Sequence, residues 1–234
     1  MTTIRTAQLI TPLETAPFNM REARFNMIEQ QIRTWEVLDP KVLDLLNEIP
    51  REDFVPDTYK GLAFADLEIP LGNGQMMLSP KVEGRILQAL AIKPHETVLE
   101  IGTGAGYLTA LMAAQAKHVT TVEIDPAIAE KAKLALSKTA NVSVIIGDAA
   151  NGWDAKNNAK YDVIVFTGGL EISPESTKMQ LNLGGRLFAV IGEPPAMQAV
   201  LVKRVDELSF KTDVLFETCL PHLANCPAAK KFEF

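Results

Sequence analysis

From Arg21 onward apolar residues recur at three- and four-residue spacing. Phe25, Ile28 and Ile32 are separated by Arg21, Arg24, Glu29 and Arg33, the pattern of an amphipathic helix. A second helix is predicted from Asp39, a side chain that can accept from the free N–H groups of a first turn. Pro40 stands at the first helical position, Val42, Leu45, Leu46 and Ile49 form the buried stripe, and Pro50 is the stop. Residues 53–78 are rich in Pro and Gly and read as an irregular segment with short strands. Ser79-Pro80 then opens a third helix with Val82, Ile86, Leu87 and Leu90 on one face. Beyond Thr97 the period changes to alternating strand and helix. Strands are predicted at 97–101, 119–124, 142–146, 161–167 and 185–191, with helices at 107–116 and 126–138 among them. Residues 199–205 and 212–217 read as two closing strands with no room for a helix between. Such alternation implies an α/β fold, a mostly parallel sheet with helices on both faces.

Composition narrows the class without changing that picture. The chain has 234 residues, 47% of them apolar and 22% charged, enough for one substantial core. A net charge of −6 leaves no basic footprint for nucleic acid or an anionic membrane. No apolar run approaches the roughly 20 residues of a spanning helix, and residues 1–20 lack the pattern of a secretory signal. A cytoplasmic location is expected. Cys219 and Cys226 fit no zinc spacing, and His95, His118 and His222 are scattered, so no metal is expected. The reading divides the chain into an arm at 1–24, a helical, substrate-side segment at 25–96 and a core at 97–234. The oligomeric state stays open.

The sharpest motif is Glu100-Ile-Gly-Thr-Gly-Ala-Gly106, between a predicted strand and a helix. Ligands of open α/β sheets bind at such turns, where glycines let the backbone approach closely. A dinucleotide fingerprint would put its third glycine one residue later, where Tyr107 stands. Glycines at 102, 104 and 106 instead resemble the signature of S-adenosylmethionine methyltransferases, in which an antiparallel closing pair is the usual ending of the sheet. That resemblance implies S-adenosyl-L-methionine as cofactor and a loop, including Thr103 and Tyr107, that needs no anion-binding helix start. Glu100 would position either the loop or the methionine amino group. Glu123, about twenty residues on at the next strand end and followed by Ile124, would accept from ribose hydroxyls. Asp125, before Pro126, reads as a helix cap. Asp148, followed by Ala149 at the third strand end, would face the adenine.

Other segments extend the resemblance. Met27-Ile-Glu-Gln-Gln-Ile-Arg33, Ile49-Pro-Arg-Glu-Asp-Phe-Val-Pro56, Ile69-Pro-Leu-Gly72, Gly74-Gln75 and Leu183-Gly-Gly-Arg-Leu187 resemble the protein-L-isoaspartate O-methyltransferase family over residues 25–205. The family implies methylation of isoaspartyl carboxylates in damaged proteins, with Asp66, Gln75, Leu78 and Ser79 near the transferred methyl. The same loop could instead only pack the helices onto the sheet. One departure stands out: the family's Thr-Ile-Ser after Gly-Gln reads Met76-Met77-Leu78, and Pro80 holds the register. A related methyltransferase with another acceptor, or a protein that binds the cofactor without turnover, are the alternatives that this change raises.

Overall fold

The computed structural model describes residues 19–154 and 157–228. Most of the expected arm lies outside them, and its last residues are already helical, because α1 spans Met20–Met27. Asn19 caps α1 by accepting from the Arg21 and Glu22 amides. The chain then widens into one π turn, Ile28–Ile32, and a 3₁₀ turn, Arg33–Trp35, where a uniform helix is expected. Both Ile28 and Ile32 are buried, and an added Cβ at Gly84 would lie 3.3 Å from Ile32, so the turn is seated closely on the helix opposite. Helix α2, Pro40–Glu48, starts on the Asp39 cap as the sequence predicts. The irregular stretch resolves into an antiparallel hairpin of β1 (Ile69–Gly72) and β2 (Gln75–Met77). Helix α3, Pro80–Leu90, follows. Ser79 occupies its cap position but makes no side-chain cap bond, so the fixed φ of Pro80 starts the helix alone.

The remaining elements build one seven-stranded sheet. In chain order they are β3 (Thr97–Ile101), α4 (Tyr107–Ala113), β4 (His118–Glu123), α5 (Pro126–Ala135), β5 (Val142–Ile146), β6 (Tyr161–Leu170), α6 (Glu175–Lys178), β7 (Leu181–Glu193), β8 (Ala196–Arg204) and β9 (Phe210–Glu217). Their spatial order is β5-β4-β3-β6-β7-β8-β9, parallel as far as β7 and antiparallel over the last two pairings. The closing strands start earlier than the sequence pattern suggests, because Ala196, Met197 and Gln198 pair with the end of β7, and Phe210 and Lys211 pair with the end of β8.

Central strands are buried on both faces, as their unbroken apolar runs require. Alternation along β3 and β6 sends Val98, Val163 and Val165 into a core shared with the N-terminal helices. Leu99, Ile164 and Phe166 enter the opposite core. The first core contains a charged group. Arg51 is fully buried and pairs with Glu83 of α3. It also donates to the carbonyls of Ala63, at 2.9 Å, and Leu78, at 2.7 Å. Its guanidinium lies over the Tyr107 ring, 5.3 Å from the centroid. From the sheet, Arg186 of β7 reaches back to Glu96 at 2.8 Å and to the last carbonyls of α3.

Candidate active site

Strand order reverses direction about β3, whose neighbours β4 and β6 lead away to opposite edges. A crevice opens at such a point above the carboxyl ends of the strands. Here it is a cleft open to solvent, with walls from the ends of β3, β4, β5 and β6, the β1–β2 hairpin and the segment after β9.

The turn after β3 forms its floor. Gly102 has φ +95°, and a Cβ there would lie 2.3 Å from the Thr167 hydroxyl. That hydroxyl donates to the Ile101 and Gly102 carbonyls, at 3.0 and 2.5 Å, clamping β3 to β6. Gly104, at φ +54°, also faces the cleft. At the end of β4, Glu123 accepts from the amides of Gly104 and Asp125, both at 3.0 Å, so the carboxylate fixes the glycine turn as well as facing the cleft. Asp125 caps α5 through the Ala127 and Ile128 amides, as the sequence suggests. Ile124, Asp148 and Ala149 line the same wall, and Asp148 accepts from the Ala150 amide at 3.0 Å.

Other expected residues lie behind the turn. Glu100 is fully buried, accepts from the Thr109 hydroxyl at 2.5 Å, and keeps its second oxygen without a partner among the described residues. Burial pushes its carboxyl up to about 8, against the pull of the Thr109 and Thr121 hydroxyls. Glu100, Glu83, Thr103, Gly106 and Tyr107 line a small cavity beneath the glycines. Thr103 bonds Thr121 at 2.7 Å, and the Tyr107 hydroxyl donates to the Ile49 carbonyl at 3.4 Å. These side chains set the turn from below and do not line the main cleft.

At the hairpin end, Gln75, Met76 and Leu78 line the cleft and Met77 is buried in the core. Asp66 and Ser79 are placed differently from the expectation. Asp66 accepts from Lys81 at 2.8 Å outside the cleft, and Ser79 is buried without lining it, one residue past the wall position held by Leu78. Sequence reasoning missed Glu68, Thr167, Gly168, Leu220, Leu223 and Ala224, all on the cleft wall. The rule that strand ends carry ligands could have found Thr167 and Gly168, at the end of β6. Residues 220–224 carry no periodic signal.

The lining suits an adenosyl sulfonium. Glu68, Glu123 and Asp148 supply acids, and among the described residues no basic side chain lines the cleft, which suits a cation and not a pyrophosphate. Ile124, Ala149 and Leu223 give apolar faces for a ring, and the bare Gly102 admits close approach.

A parallel sheet with an antiparallel closing pair, a glycine turn after its central strand and acids at the next two strand ends defines the Rossmann-like methyltransferase class. Within it, residues 22–220 match the model of the family protein-L-isoaspartate(D-aspartate) O-methyltransferase (PCMT), and the chain belongs to that family. Protein-L-isoaspartate O-methyltransferase 1 of Rhodopseudomonas palustris (strain HaA2) is 39% identical over 76% of this chain and 73% of its own length. The Methanoculleus marisnigri protein-L-isoaspartate O-methyltransferase is 38% identical over 79% of this chain and 84% of its own. A solved structure described as a beta-aspartate methyltransferase (PCMT) from Plasmodium falciparum, in complex with S-adenosyl-L-homocysteine, superposes with a TM-score of 0.73. It covers 88% of this chain and 98% of that one at 17% identity.

Proposed function

We propose that the chain methylates the carboxylate of L-isoaspartyl residues in damaged proteins, using S-adenosylmethionine. Family membership across residues 22–220 carries this reading. When bound, the cofactor supplies an electrophilic methyl on a sulfonium sulfur. Gly102 and Gly104 would admit it closely, Glu123 and Asp148 would accept from its hydroxyls and amine, and Ile124, Ala149 and Leu223 would cover its ring; all of them line the cleft. An acceptor carboxylate is ionised at pH 7 and needs no general base. The protein's task is then alignment and exclusion of water, worth roughly 7–11 kcal/mol in favourable cases. Gln75, Met76 and Leu78 line the hairpin side of the cleft; on this reading Gln75 would face the acceptor, and Met76 and Leu78 would exclude water from it.

Labelled S-adenosylmethionine, offered with an isoaspartyl peptide beside its aspartyl twin, tests the assignment. Label on the isoaspartyl peptide alone supports it. Tight cofactor binding without transfer to either peptide would refute it and leave a related methyltransferase with another acceptor or a binding protein without turnover.

A second acceptor is favoured by one observation. Where the family pattern has hydroxyls, Met76 and Leu78 line the cleft beside Glu68, whose carboxyl burial pushes above the usual range. Such an end suits a less polar acceptor that still carries its proton. Leu78→Ser that raises isoaspartyl transfer, with the wild type near background, would support this second reading.

A further inference from the structure

Beyond β9 the chain turns back over the carboxyl ends of the strands. The Gly169 amide donates to the Pro221 carbonyl at 2.8 Å, and the Leu223 amide donates to the Gly169 carbonyl at 2.9 Å, a short parallel bridge at the end of β6. His222 bonds the Gly192 carbonyl through Nε2 at 3.0 Å. Two adjacent glycines make room for this strap. A Cβ on Gly168 would lie 2.6 Å from the Leu223 side chain, and one on Gly169 would lie 2.7 Å from the Leu220 carbonyl. Leu220 is buried, and Leu223 and Ala224 lie on the wall of the cleft. The strap ends on Asn225, whose φ of +60° is one that asparagine tolerates better than most residues. From there its carboxamide nitrogen donates to Oδ2 of Asp148 at 2.9 Å.

Asp148 is therefore held from two sides, Oδ1 by the Ala150 amide and Oδ2 by Asn225. Each carboxylate oxygen keeps a further lone pair, so the group remains an acceptor with a fixed orientation. A purine with a 6-amino group has a donor for it. A purine with a 6-oxo group sets a carbonyl against a carboxylate that cannot turn away, and that carbonyl finds no donor there.

We propose that Asn225, by fixing Asp148, sets the preference for a 6-amino purine in the adenine subsite, with Leu220, Pro221, Leu223 and Ala224 on its outer wall. The proposal rests on the cofactor reading above. Asn225 acts through Asp148 and is a positioning residue.

The test is calorimetric titration of the full chain with S-adenosylhomocysteine and with its 6-oxo counterpart, S-inosylhomocysteine. Asn225→Gly removes the carboxamide and keeps the positive φ accessible, so the strap retains its path. The wild type is expected to prefer the amino form by about 100-fold and Asn225→Gly to narrow that ratio by about tenfold, because the carboxylate becomes free to turn. Asn225→Asp, which sets a second carboxylate against Asp148, is expected to weaken the adenosyl ligand by about tenfold. Thermal melts of each variant check the fold, and the ratio of the two affinities is a readout that a general loosening of the strap would not move. A ratio in Asn225→Gly within about twofold of the wild-type value, with the adenosyl ligand still bound, overturns the proposal alone. Failure of the wild type to bind S-adenosylhomocysteine would bring down the cofactor reading and the proposal together.

Discussion

Replacing Arg51 with Met removes a buried cation and nearly preserves its volume. Two separate costs can be worked out. The carbonyls of Ala63 and Leu78 lose their donor inside the core, at about 1–3 kcal/mol each, for a loss of about 2–6 kcal/mol. Glu83 loses its ion partner, yet burial and the nearby Glu100 already hold its carboxyl up to about 8 against the opposing pull of Arg51. Without Arg51 it rises further, so at pH 6–7 Glu83 keeps its proton in both proteins and no bare charge is left behind. The sign of the pH dependence follows. A carboxyl raised in the folded state costs stability as pH climbs from its unfolded value towards the folded one, and in this window wild type and variant decline together. Above pH 8 the wild-type Glu83 ionises beside Arg51 while the variant's cannot, so the gap widens by up to about 1.4 kcal/mol per pH unit. Urea denaturation at pH 6, 7 and 9 measures this. The expected difference is constant between pH 6 and 7 and larger at pH 9. A difference that already climbs by about 1 kcal/mol from pH 6 to 7 would mean Glu83 is an anion there, refuting the reasoning.

Three further outcomes are expected. Gly102→Ala, strained at φ +95° and driven into the Thr167 hydroxyl, should lose about 2–4 kcal/mol in denaturant melts, and adding Thr167→Ala should recover part of it. Because burial raises Glu100 to about 8, wild-type stability should fall between pH 6 and 8, and Glu100→Gln should flatten that slope by about 1.4 kcal/mol per pH unit; an unchanged slope would mean Glu100 is ionised at pH 7. Burial and the charge of Asp148 push the Cys226 thiol up to about 11. At pH 8 iodoacetamide should therefore label exposed Cys219 well ahead of Cys226, as read by mass spectrometry, and equal rates would count against a closed strap.

Much of the sheet was legible because its signals are local. A run such as Thr97–Ile101 ending at glycines, and Asp125 before Pro126, carry their structure in a few neighbouring residues. Glu123 and Asp148 could be placed at the cleft from spacing alone, since strand and helix lengths fix where each turn falls, whereas Glu100 points beneath the glycines. What spacing could not give was the second partner of each side chain. Glu123 ties down the Gly104 amide, and Asp66 is drawn to Lys81, through contacts between distant parts of the chain. The Arg51–Glu83 pair was hidden for a related reason: charged residues read as solvated faces unless the fold closes over them. Residues 218–228 lack any period, and their course follows from the bare surface at Gly168 and Gly169.

The N-terminal segment contributes no strand to the large sheet, and that has a consequence for how the molecule comes into being. Residues 20–92 leave the ribosome before the sheet does, but Ile86, Leu87 and Leu90 share their core with Val163, Val165, Phe188 and Val190. The Arg186 side chain that ties off α3 is made some hundred residues later. At ordinary rates of synthesis the first helices wait roughly 5–20 s for their partner surface. For that interval the buried faces of α2 and α3 have no sheet to pack on, and the segment is exposed to aggregation until β6 and β7 have been made.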